Sequence, residues 1–155
     1  MDSMLQQELR QTRPFSSLAQ EALLSLERTA AVLGHALEKE LKPYGVTPTQ
    51  YNVLRILRGA GPAGLCRHEI GDRLVTPVPD VTRLLDRMQE AGWIRRERSV
   101  EDRRLVRTTI TDDGLALLAR LDEPLKTMEL AIIGHLTDDE LRALIDLLGK
   151  ARHRT

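Results

Sequence analysis

The chain has 155 residues, 41% hydrophobic and 30% charged, with 23 basic and 23 acidic side chains and a formal net charge of zero. That length suits one domain or two small lobes on a shared core, and that charge balance excludes a blanket nucleic-acid coat without excluding a local basic patch. No run approaches the ~20 apolar residues of a membrane span, the N-terminus lacks the apolar core of a signal peptide, and the single cysteine, Cys66, rules out an intrachain disulfide and a paired metal ligand.

In chain order, residues 1–14 read as a loose or partly helical arm interrupted at Pro14. Ser16 or Ser17 can cap a helix running to about Leu41, in which Leu23, Leu26, Ala30, Leu33, Leu37 and Leu41 recur in steps of three and four. Leu18, Ala22 and Val32 widen that stripe, so the helix needs a partner surface. Pro43 and Gly45 break it. Thr47-Pro-Thr-Gln50 is a strong helix start: threonine caps, proline suits the first helical position, and glutamine three residues on closes a capping box. Tyr51, Val53, Leu54, Ile56 and Leu57 bury this helix broadly, as expected of a central element. The glycine-rich stretch 59–64 lacks the strand before it and the Gly-Lys-Ser/Thr after it that a phosphate loop requires, and reads as a turn.

A short helix follows from Cys66 to about Leu74, with Ile70 and Leu74 inward. Two prolines then fit only a linker or a first helical turn, which places Thr76 as cap, Pro77 as first helical residue, and a helix over 78–91. Val81, Leu84, Leu85 and Met88 share one face. Thr82, Arg83, Asp86, Arg87 and Glu90 share the other, and Gly92 ends the helix in a left-handed cap. Residues 93–98 and 105–110 are strand-like, joined without the Asn-Gly or Asp-Gly of the tightest hairpins. Thr111 can cap a helix with Leu115, Leu118, Leu121, Leu125, Met128, Ile132 and Leu136 on one face, which Pro124 is expected to kink or split. Thr137-Asp-Asp-Glu140 is a second capping box. It opens a last helix carrying Leu141, Leu144, Ile145, Leu147 and Leu148.

The resulting class is mainly α with a small β-hairpin. Three short helices and a hairpin over 46–111 make a winged helix-turn-helix, whose second paired helix is placed to enter a major groove by its start. The hairpin beside it carries Arg95, Arg96, Arg98, Arg103, Arg104 and Arg107 against Glu97, Glu101 and Asp102. Arginine presents a planar fork of donors that suits phosphates and guanine edges. The bland alternative is a solvated hairpin with incidental charge.

Four stretches carry a family resemblance. They are Thr47-Pro-Thr-Gln-Tyr-Asn-Val-Leu-Arg-Ile-Leu, Val81-Thr-Arg-Leu-Leu-Asp-Arg-Met, Gly92-Trp-Ile-Arg-Arg-Glu-Arg-Ser-Val-Glu-Asp-Arg-Arg, and Thr109-Ile-Thr-Asp-Asp-Gly. Together they resemble the MarR family of bacterial transcription regulators over about 18–152. The resemblance implies a homodimer, its intertwined dimerisation region formed by 1–45 and 112–155; no cofactor is expected, and composition makes a cytoplasmic protein the economical reading. Two winged lobes would sit on a near-palindromic double-stranded DNA site as a repressor, often with a small-molecule effector. It also implies roles for particular residues. Thr82 and Arg83 match the recognition-helix pair that meets bases and phosphates. Asp102 braces the wing, and Arg103 or Arg104 reaches the minor groove. Arg67 and His68 open the helix that lies across the backbone. Arg87 joins Arg83 on the outward face, where the competing reading is a surface ladder with Asp86 and Glu90 at i+3. The departure is Val78-Pro79-Asp80, where many members have serine or threonine. Asp80 can accept from a cytosine amino group or cap the helix. Between frame and lobe, His35, Tyr44 and Tyr51 are the polar-tipped candidates for an effector, against the simpler reading of core or loop residues. Cys66 reads as a small buried side chain, although helix N-termini lower thiol pKa values.

Two other classes compete. The histidines His35, His68, His135 and His153 lack His-x-x-x-His spacing and a carboxylate constellation, so neither an enzyme nor a metal site is expected. A winged helix that binds protein alone is the third possibility, and the arginine-rich hairpin argues against it.

Overall fold

The computed structural model describes residues 3–153. A short helix α1 (Met4–Glu8) precedes the long helix α2 (Leu18–Leu41), whose cap is Ser17, with its hydroxyl accepting from the Gln20 amide at 3.1 Å. Then come α3 (Pro48–Ala60), α4 (Arg67–Arg73), α5 (Val81–Glu90), the antiparallel hairpin β1 (Ile94–Arg98) and β2 (Val106–Ile110), α6 (Asp112–Ile133) and α7 (Asp138–Arg152). The hairpin register pairs Ile94 with Ile110 and Arg98 with Val106. Leu65, just before α4, adds a backbone bridge to Thr108, so β2 is held on both edges at that point.

Helix α3 is the centre. Its predicted capping box is present: Thr47 Oγ1 accepts from the Gln50 amide at 3.2 Å, and the Gln50 side chain accepts from the Thr47 amide at 3.0 Å. Val53, Leu54 and Leu57 are fully buried, against Leu41 of α2, Ile70 of α4, Leu85 and Met88 of α5, and Leu118 and Leu121 of α6. Arg58 pairs with Asp122 at 3.0 Å, tying α3 to α6 on the outside of this core. Two glycines admit close backbone approaches. Gly64, at φ +62°, lies where a Cβ would run into the Thr108 carbonyl, and a Cβ on Gly114 would run into the Trp93 carbonyl.

Three expectations are corrected. Helix α5 begins at Val81 with Asp80 as its cap, not at Pro77 under Thr76. Residues 77–79 belong to the turn, where Val78 packs against the core and the Val75 amide donates to Asn52 Oδ1 at 2.8 Å. Packing of the partly buried Val78 and the Asn52 anchor hold this segment as a turn against the local helix-start signal of Thr-Pro. Helix α6 is one helix from Asp112 to Ile133 with Pro124 inside it, so the proline does not split it. It ends at Ile133, leaving Leu136 in the next turn, and Leu117 rather than the exposed Leu115 joins Leu118 on its buried face.

The frame is incompletely covered. Helix α7 buries no residue, and Leu23 of α2, Leu130 of α6 and Ile145 of α7 are 67%, 61% and 65% exposed.

Candidate nucleic-acid interface

The face built from α4, α5 and the hairpin is organised by hydrogen bonds that fix some polar groups and leave others free. Asp80 Oδ1 accepts from the Arg83 amide at 2.9 Å, so the aspartate caps α5. Arg67, in the first turn of α4, donates to Thr82 Oγ1 at 2.9 Å and ties the two helices of the pair together. Asp86 and Gln89, on the outward side of α5, are both taken by the Arg96 guanidinium reaching over from β1. The ladder that competed for Arg83 and Arg87 therefore does not form. Both are exposed, and among the described residues neither has a carboxylate within ion-pair distance.

The tip of the hairpin is braced by Asp102. Its Oδ1 accepts from the Arg104 amide at 3.0 Å and its carbonyl accepts from the Leu105 amide at 2.9 Å, while the Ser99 amide donates to the Leu105 carbonyl at 2.8 Å. One backbone amide held by the carboxylate and a second held by the carbonyl of the same residue fix the turn. Arg103 and Arg104 project from that turn exposed, with no acid paired to either among the described residues.

Sequence reasoning missed Glu69. One carboxylate oxygen, Oε2, accepts from the Cys66 amide at 2.8 Å, from Cys66 Sγ at 2.8 Å and from Arg107 Nη1 at 3.2 Å. The spacing Cys66-x-x-Glu69 is that of a capping box with cysteine in the serine position, and that was the available signal. The thiol hydrogen bond, the amide hydrogen bond and then Arg107 hold the Glu69 carboxyl below its ordinary value. Burial pushes the Cys66 thiol up, and its hydrogen bond to Glu69 adds to this. That is the opposite of an activated thiolate; Cys66 is buried, with His68 Nδ1 3.3 Å from its sulfur.

Two clefts of the reading face gather the predicted residues. One, of about 340 Å³, lies between α4, α5 and the hairpin and is lined by Arg67, His68, Thr82, Arg96 and Arg104. The other, of about 350 Å³, lies between the starts of α3 and α5 and gathers Val78, Pro79, Asp80, Arg83 and Arg87 with Thr47 and Gln50. The three effector candidates are not brought together. His35 lines a cleft at the foot of α2 with Lys39 and Lys42. Tyr51 lines an apolar cleft of about 290 Å³ with Leu33, Leu37, Leu125 and Met128, and Arg55 sits 5.8 Å from its ring. Burial pushes the Tyr51 hydroxyl up, with Arg55 opposing. Tyr44 packs under Arg120, 5.3 Å from ring centre to guanidinium.

The MarR family model matches residues 44–105, which spans α3, α4, α5 and the hairpin down to its tip. The HTH-type transcriptional regulator PecS of Dickeya dadantii is 32% identical over 127 residues, covering 81% of this chain and 76% of that protein. A MarR transcription factor from Planctomyces limnophilus superposes with a TM-score of 0.68 at 41% identity, over 88% of this chain and 98% of that one. A mutant MarR from E. coli, complexed with operator DNA, superposes with a TM-score of 0.76 at 26% identity, over 88% and 99% of the two chains. With a winged helix-turn-helix in place and relatives of this identity spanning most of its length, the chain belongs to the MarR family of DNA-binding transcription regulators.

Proposed function

We propose that the chain acts as a homodimeric repressor that sets two winged lobes on a near-palindromic duplex and releases it in response to a small molecule. The observation that carries this reading is the set of arginines left without acids: Arg83 and Arg87 on the outward face of α5, and Arg103 and Arg104 at the hairpin tip. Unpaired guanidinium groups on a rigid scaffold can donate in pairs to guanine edges or to phosphates. Because α5 starts under Asp80, the first turn offered to a groove holds Thr82 and Arg83. Asp80 uses one carboxylate oxygen as a cap and keeps the other for a base amino group. Operator DNA in the E. coli relative supports the partner. The uncovered leucines and isoleucine of α2, α6 and α7 support self-association, since exposed apolar patches of this kind mark association surfaces.

The effector reading rests on the cleft beside Tyr51. Its walls are apolar, its polar points are the Tyr51 hydroxyl, Arg55 and Glu129, and it lies where α2 and α6 of the frame meet α3 of the lobe. A small apolar molecule seated there shifts DNA affinity only if it favours one lobe spacing over another.

Genome-wide footprinting with the purified protein supplies duplexes, which are then titrated at two salt concentrations. Arg104→Ala is expected to weaken binding to all duplexes alike and to reduce the salt slope by about one for each bound copy. Arg83→Ala is expected to relax preference at one base position as well, at a cost of about 1–3 kcal/mol. Salt-independent binding, or none to any footprinted fragment, overturns the DNA reading. A reporter on the bound promoter that falls rather than rises when the protein is removed overturns the repressor reading.

A further inference from the structure

The basic surface does not stop at α5 and the hairpin. Thr47 lines two neighbouring clefts at once: the one that holds Arg83 and Arg87, and the one at the foot of α2 lined by His35, Glu38, Lys39 and Lys42. The two clefts therefore meet at the first turn of α3. Lys39 and Lys42 are exposed, and among the described residues neither is paired with a carboxylate, although Glu38 lines the same cleft. They are two of only four lysines in the chain. Where the clefts meet, the Gln50 side chain gives its oxygen to the Thr47 amide, and its NH2 group is left as a donor. On this side of α5 there is no hairpin.

We propose that Lys39 and Lys42, with the Thr47–Gln50 turn between them and Arg83, form a second phosphate-binding strip that grips the DNA backbone on the side of the reading helix away from the wing. The inference rests on the DNA-binding reading above. Thr47 lines both the cleft of Arg83 and Arg87 and the cleft of Lys39 and Lys42, so a backbone lying along the first cleft has these lysines in the adjoining one. Lysine is a compact point charge on a flexible stem, suited to phosphate rather than to base edges. The strip therefore adds affinity and fixes orientation without reading sequence.

The test uses the full chain and one footprinted duplex, with Lys39→Gln, Lys42→Gln, the double variant, and Lys42→Arg as the charge-preserving control. Affinity is measured from about 50 to about 200 mM salt, where each phosphate contact contributes about 0.9 to the slope of log affinity on log salt. The expected result is a slope shallower by about 0.9 for each lysine removed in each bound copy. Lys42→Arg should keep the wild-type slope, and the ranking of base-substituted duplexes should not change. A double variant with the wild-type slope, while Arg104→Ala still flattens it, overturns the strip and leaves the DNA-binding reading standing. A double variant with altered base ranking also overturns it, because the lysines would then be placing bases rather than phosphates. If the wild type itself binds no duplex, both readings fall together.

Discussion

Glu69 serves three donors with one oxygen, and its charge is tied to both the start of α4 and the hairpin strand β2. Because its folded value lies below the ordinary 4.5, the stability it contributes is fully present above about pH 4.5 and is lost as pH falls through the folded value. Thermal midpoints of wild type and Glu69→Gln are therefore expected to differ at pH 7 and to converge on acidification below pH 4.5; a constant gap would show that the charge contributes nothing. The cap half of this arrangement is legible in the spacing Cys66-x-x-Glu69. Arg107, 38 residues away, is not, because its reach to Glu69 depends on the hairpin register and on the Leu65–Thr108 bridge. The pairing of Asp86 with Arg96 is hidden for the same reason: within the helix Asp86 has nearer arginines, and only the fold brings β1 across to it.

Helix starts show what local chemistry decides and what it does not. Thr47, Thr111 and Thr137 each cap the helix that the sequence assigns to them, because an oxygen three residues before an orphan amide is a local relation. The start of α5 went the other way: Thr76-Pro77 and Asp80 are both plausible starts, and Asp80 is the one that caps, with the partly buried Val78 packed against the core before it. The shift moves Val78 and Pro79 out of the helix and leaves Thr82 and Arg83 in its first turn. Packing between elements sets a second limit. Gly114, in the first turn of α6, lies against the Trp93 carbonyl and the Ile110 side chain at the base of the hairpin. Gly114→Ala is expected to destabilise the fold by about 1–3 kcal/mol through overpacking, seen as a lower midpoint in thermal or denaturant unfolding. The refolded fraction should keep its preference among duplexes, since no reading residue touches that contact.

At the scale of the whole molecule, the periodicity of α2 announces a stripe wider than one chain covers, and the structure leaves Leu18, Leu23 and Val32 in water. The partner's identity does not follow from the stripe. A homodimer is tested by Leu23→Glu and Ile145→Glu, each expected to give a monomer by sedimentation. Each should also lose about a hundredfold or more in operator affinity as the two lobes cease to act together. Wild-type mass at both sites, or full affinity in a monomer, would sink the dimer. The effector site is the least legible part: His35, Tyr44 and Tyr51 line no common cleft, and nothing in a periodic pattern distinguishes a polar tip lining a cleft from one under an arginine.

Helix α7 buries none of its own residues in the single chain. Its capping box and its Arg142 pairs with Asp138 and Asp139 are surface interactions, where water competes for every partner. A segment held so lightly opens locally far more often than the core does. Its backbone amides should therefore exchange with deuterium within the earliest time points in a dilute solution of single chains. They should slow together once a second copy, or whatever else covers the segment, arrives. The helix is in that sense a gauge of assembly, readable by mass without a label and without knowing the operator.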